Sequence, residues 1–211
     1  MASNKNKLIG CLPYLLVAIL LSWGMYECDY QYSYWRDYQV RPWAYNRDKN
    51  AKLLVGSWQG KFKDPDGIEK SMVLEVFVPL SDADRRKKAS RSHRRRTRGG
   101  LGSTSEKRMF EGKAQVKSRL GIEDYLLSGS VGKEDFHQLK MGFRAEEEKT
   151  RLQPNFCINL IESGNWSEDK MSLQLGFAYF KADGSSFWSS SDPRHSYKTT
   201  CQLSRIQNPK N

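Results

Sequence analysis

The chain has 211 residues, a formal charge of +11, 38% hydrophobic and 12% aromatic content. That length accommodates one domain with a sizeable core plus extensions, and that apolar content excludes a chain disordered throughout. Nine positive charges fall between Arg85 and Arg98, so the remainder carries about +2, which excludes a domain basic over its whole surface.

Residues 1–7, "MASNKNK", form a basic flank carrying Lys5 and Lys7. Nineteen uncharged residues follow, Leu8 to Tyr26, densest in apolar side chains over Leu15–Leu21. A helical bilayer span needs ~20 apolar residues and a signal-peptide core ~7–15, so 8–26 predicts a single-pass signal-anchor helix. The alternative is a cleaved signal peptide, cut after Gly24, giving a secreted protein. With the lysines on the cytoplasmic side, both place the following domain on the non-cytoplasmic side.

Residues 27–52 read as an aromatic-rich linker with Tyr30, Tyr32, Tyr34, Trp35, Tyr38, Trp43 and Tyr45. Such rings either settle at a membrane interface or pack onto the domain that follows.

From residue 53 to 205 the apolar period becomes two, the spacing of a half-buried strand. "MFEGKAQVKS" and "KMSLQLGFAYF" alternate strictly; "SMVLEVFVPL" sets Met72, Leu74, Val76 and Val78 on one face, and "NFCINLIE" sets Phe156, Ile158 and Leu160. Weaker candidates are "LLVGSWQGKF", "EDYLLSGSV", "FHQLKMGFR" and "HSYKTTCQLSR", with turns at 63–70, 163–169 and 181–186. About eight strands with short connections predict a mainly β fold, an antiparallel up-and-down barrel or strongly curved meander preceded by one hydrophobic helix. Residues 206–211 are a tail.

The insertion 80–108 interrupts the pattern, because hairpin loops usually have ~2–5 residues. Its repelling charges and near absence of apolar side chains predict disorder. Arg85, Arg86, Lys87, Lys88, Arg91, Arg94, Arg95, Arg96 and Arg98 are available to an anionic surface. Anionic lipid or acidic polysaccharide fits the exported placement; nucleic acid is the alternative partner, disfavoured by compartment.

Gly56-Ser57-Trp58 resembles the Gly-x-Trp signature that opens the barrel of lipocalins and avidins. The resemblance to this calycin group implies that Trp58 closes one barrel end and that a basic residue of the last strand, Arg205, packs across it. An immunoglobulin-like sandwich fits less well, since Trp166 falls in a predicted turn.

Trp58, Phe62, Leu74, Phe110, Leu173 and Phe177 are the inward candidates, lining either a packed core or a cavity for a small apolar ligand. Of four cysteines Cys11 lies inside the apolar segment; in an oxidising compartment Cys157 and Cys201 form the candidate disulfide pair, leaving Cys28 single, and each also reads as a small buried hydrophobe. Asn165-Trp166-Ser167 is an N-glycosylation sequon.

No cysteine spacing suits a metal and no motif calls for a cofactor, so neither is expected. Asp192 and His195, beside serines 189–191, are the one hint of an envelope hydrolase, and no nucleophile elbow accompanies them. The sequence therefore predicts a non-enzymatic binding or structural module, membrane-anchored or exported, that engages an apolar ligand or an envelope partner.

Overall fold

The structure is a computed structural model describing residues 5–48, 50–81, 84, 106–146, 154–181, 185–187 and 191–206; for 5–12, 29, 30, 33, 34, 106, 162, 186 and 187 it describes the backbone alone. The chain divides into two units, Met1–Val40 with Leu80–Arg95, and Arg41–Pro79 with Arg96–Asn211.

In the first unit, α1 spans Lys5–Val40 as one 36-residue helix. It runs past the predicted anchor segment because 27–40 contains neither Gly nor Pro. Pro42 then ends it by pushing Arg41 out of helical geometry. The side chains between Tyr14 and Tyr26 are exposed on every face, Leu15 at 60%, Leu20 at 62% and Trp23 at 66%. Among the described residues no helix is long and apolar enough to cross a membrane. The apolar run begins at Leu8, and the side chains of 8–12 lie outside those described.

The second unit is built from β1 (Gly56–Lys63), β2 (Glu69–Val76), β3 (Met109–Ser118), β4 (Gly121–Val131), β5 (Gln138–Ala145), β6 (Asn155–Ser167), β7 (Lys170–Phe180), β8 (Ser186–Phe187) and β9 (Thr199–Arg205). Strands β1 to β7 each pair antiparallel with the next, and β9 pairs with both β7 and β1. The result is a closed eight-stranded antiparallel barrel, with β8 a two-residue addition beside Tyr179 and Phe180. Among the described residues, closure leaves no long unpaired strand edge.

Alternation decides what enters the barrel. Trp58 and Phe62 from β1, Met72, Leu74 and Val76 from β2, Phe110, Ala114 and Val116 from β3, and Met171, Leu173, Leu175 and Phe177 from β7 belong to one buried cluster. Between Phe110 and β4 the fit demands glycine: a Cβ on Gly129 would stand 2.4 Å from the Phe110 ring and 2.6 Å from the Lys140 carbonyl.

β6 departs from strict alternation. Irregularities between Ile158 and Leu160 and between Ile161 and Ser163 shift its register. Leu160, expected inward, is 46% exposed, and Ile161 is fully buried in its place. A bulge inserts one extra residue and exchanges the faces beyond it. The predicted turn 163–169 is also corrected: β6 runs on to Ser167, and only Glu168 and Asp169 reverse the chain, Glu168 with φ 53°. Trp166 is thus a buried strand residue whose Nε1 donates to the Phe136 carbonyl at 2.9 Å. Asn165 is an exposed strand residue opposite Ser172.

Candidate functional site

At one end the barrel is plugged. Trp58 is fully buried and donates Nε1–H to the Leu54 carbonyl at 3.0 Å. Trp43 and Leu54, from the segment before β1, pack into the same core, Trp43 edge-on to Phe110 at 5.9 Å. That part of the aromatic linker therefore packs onto the domain. The Arg205 guanidinium lies 4.3 Å from the centre of the Trp58 ring. It donates Nε–H to Asp169 at 3.0 Å, Nη1–H to the Val55 carbonyl at 3.1 Å, and Nη2–H to the carbonyls of Leu53 and Glu168. One cation thereby ties together the entry to β1, the β6–β7 turn and the last strand. Gly56 has φ 122°, and a Cβ there would meet Arg205 Nη1 at 3.0 Å, so both backbone angle and space require glycine. Lys52 pairs with Asp169 from outside and holds its carboxyl below the usual range, with Arg205 adding to the effect.

The opposite end, the mouth, is ionic inside. Lys70 continues the inward parity of Met72, Leu74 and Val76 and is 1% exposed. Its ammonium donates to Glu123 Oε1 at 3.1 Å and to the Phe156 carbonyl, and stands 3.7 Å from Asp64 Oδ2. Glu123 also accepts from Asn155 Nδ2 at 2.8 Å and from the Tyr125 hydroxyl. The Cys157 thiol donates to Asn155 Oδ1 at 3.0 Å. Burial, with Cys157 and Glu123 adding to it, pushes the Tyr125 phenol well above its ordinary range.

Asp64 is divided between two tasks. Oδ1 accepts the backbone N–H of Asp66 at 3.0 Å and of Ile68 at 2.8 Å, forming the β1–β2 turn. Oδ2 is buried and accepts no hydrogen bond. Desolvation raises the Asp64 carboxyl above the usual carboxylate range, outweighing the turn amides and Lys70.

A strap crosses this mouth. Residues 193–196 form a 3-10 turn capped by Asp192, whose carboxylate accepts the Arg194 N–H at 2.9 Å. Arg194 also donates Nε–H and Nη2–H to Asp192 Oδ2 at 2.9 and 2.7 Å, and Nη1–H to Asp66 at 3.0 Å. Its guanidinium is 5.6 Å from the Phe156 ring centre, and the His195 ring meets Phe156 edge-on at 5.5 Å. Tyr197 lies against Phe177 at 6.3 Å, and Phe177 against Phe62 at 6.1 Å. Arg194 holds the Asp192 carboxyl down to about 2. Of the two candidate hydrolytic residues, Asp192 engages Arg194, and His195 packs on aromatic rings with Nδ1 making no hydrogen bond. Serines 189 and 190 lie outside the described residues.

All six predicted ligand-lining residues are buried in one continuous core, and none lines the groove of about 790 Å³ on the outer face of β4–β7 and β9, where Gln138, Lys140, Ser163, Gln174 and Thr200 meet. The nine basic residues Arg85, Arg86, Lys87, Lys88, Arg91, Arg94, Arg95, Arg96 and Arg98 lie outside the described residues.

The candidate disulfide is corrected. Cys157 and Cys201 are both buried thiols. On the intervening strand β7 their partners are Ala178 and Leu173, five residues apart. That is ~16 Å along a strand, whereas bridged cysteines have Cα atoms within ~7 Å. The Cys201 thiol is pushed up to about 12 by burial. Among the described residues no cluster of ligating side chains suits a metal ion.

Sequence reasoning missed Lys70, Asp64, Glu123 and Asn155. A signal was present: Lys70 falls at the inward parity of β2, and Glu123 two residues before inward Tyr125 on β4.

No family model and no curated protein matches the chain. Among solved structures it is similar to a designed protein described as a de novo fluorescence-activating β-barrel, at 12% identity and a TM-score of 0.35, over 72% of this chain and 93% of that one.

Proposed function

We propose that the chain is a non-enzymatic binding module of the calycin type, held at a membrane by α1 with the barrel on the non-cytoplasmic side. The observation that carries the anchoring is the exposure of Tyr14, Leu15, Leu16, Val17, Ile19, Leu20, Leu21, Trp23, Met25 and Tyr26 around the whole helix. A helix apolar on all sides offers no single stripe to a protein core, and a bilayer covers every face. The uncharged run Leu8–Tyr26 corresponds to ~28 Å of helix at ~1.5 Å per residue, close to the ~30 Å hydrocarbon core. The calycin assignment draws on Gly56, Trp58 and the stacked Arg205. The basic insertion then faces anionic lipid headgroups or acidic polysaccharide.

Translation in the presence of sealed membrane vesicles tests the anchoring. The full chain stays with the vesicles after alkaline carbonate extraction, and Leu15, Leu16 and Leu20 changed together to Gln release it. Release of the unaltered chain would overturn the proposal.

A further inference from the structure

We infer that the strap over the barrel mouth is a built-in stand-in for a ligand, and that the mouth takes a small organic cation with an aromatic body in its place. The inference rests on the reading of the barrel as a binding module and names its ligand class. Arg194 already does what such a ligand would do: its planar cation lies over Phe156 and pairs with Asp66 and Asp192. His195 adds an aromatic ring against Phe156 and Tyr179. A cation on a ring face beside carboxylates is the recognition geometry for an aryl-ammonium compound.

Beneath the strap the charges are incomplete. Lys70 faces two carboxylates, Asp64 and Glu123, and Arg194 faces two more. Both oxygens of Glu123 accept hydrogen bonds, from Lys70, Asn155 and Tyr125, whereas Asp64 Oδ2, on a side chain 1% exposed, still lacks a donor. An ammonium arriving there would supply it, and charge-assisted bonds of this kind are about twice as strong as neutral ones. The hinge of the exchange is the β1–β2 turn, which presents Asp66 outward to the strap and Asp64 inward to Lys70. The strap is fastened through exposed side chains: Arg194 is half exposed, and among the described residues 191–198 none is buried.

Isothermal titration of the full chain in mild non-ionic detergent tests this with tryptamine, and with indole-3-propionate as the same ring of opposite charge. The expected result is binding of tryptamine and not of indole-3-propionate. Asp64→Asn, which keeps the Oδ1 turn bonds, weakens tryptamine about tenfold, as loss of a charged hydrogen bond implies. Arg194→Ala unfastens the strap and tightens tryptamine severalfold, because opening no longer opposes binding. Equal binding of the two probes, unchanged affinity in Asp64→Asn, or no tryptamine binding by either the unaltered chain or Arg194→Ala overturns the inference. Carbonate extraction does not depend on the mouth, so failure here and failure of the anchor are distinguishable.

Discussion

Arg205, the last residue of β9, covers the face of Trp58, the third residue of β1, at 4.3 Å. The contact joins the two ends of the barrel sequence and seals one end of its core. Trp58→Ala should cost about 3–5 kcal/mol, the range for deleting a fully buried large aromatic. Arg205→Lys keeps the charge but loses the stacked plane and the fork that reaches Val55, Leu53 and Glu168. A double-mutant cycle in urea should give a Trp58–Arg205 coupling of about 0.5–2 kcal/mol; additive losses would show that the stacking carries no energy.

Lys70 is the second structural cation. Lys70→Ala leaves Glu123 and Asp64 buried without their ammonium, and breaking such a cluster costs about 3–5 kcal/mol. Lys70→Met combined with Asp64→Asn and Glu123→Gln removes the charges together and should recover most of that loss. Chemical denaturation of the two variants checks it, and equal stability would contradict a neutralising role for the Lys70 ammonium.

Asp64 gives this end a pH signature. Its carboxyl is raised in the fold, so the native state holds that proton more tightly than the unfolded chain does, and burying the charged form weakens folding at pH 7. That penalty is relieved as pH falls through the raised folded value. Asp64→Asn should therefore melt above the unaltered chain at pH 7, by about 2–4 °C for each kcal/mol of penalty. The gap should close as the solution is acidified. Asp192 acts in the opposite sense: its carboxyl is held down to about 2 by Arg194, so its contribution is present above ~3.9 and is lost as pH falls toward 2. A gap between Asp64→Asn and the unaltered chain that stays constant from pH 7 to 3 would rule out the buried-charge penalty.

The cysteines should sort by burial. Cys28 is exposed, whereas Cys157 and Cys201 are buried and Cys201 remains a thiol at neutral pH. Iodoacetamide on the native chain, read by peptide mapping, should label Cys28 quickly and Cys157 and Cys201 only after unfolding. A bridged peptide pair containing Cys157 and Cys201 would contradict the separation of β6 and β9.

Much of the barrel was legible because its strands obey one parity. β3 and β7 span the alternating stretches 109–118 and 170–180, and burial follows the alternation except at the end of β7, where Ala178 is buried and Tyr179 half-buried. β6 was not legible beyond Ile158, since a bulge changes parity without leaving a mark in composition. The Gly-x-Trp triplet pointed to the plugged end and to Arg205. The mouth was hidden for a different reason. Lysine and glutamate at inward parity read as surface residues until the fold brings Lys70, Glu123, Asp64 and Asn155 together from three strands and a turn. Cysteine pairing was misjudged because order along the chain carries no distance across β7.

The proposed placement of the chain at a membrane is tested most directly by protease protection after translation with sealed vesicles. A barrel held on the far side by α1 survives added protease as a barrel-sized fragment, which disappears when detergent opens the vesicles. Complete digestion of the barrel while the vesicles remain sealed would contradict that placement.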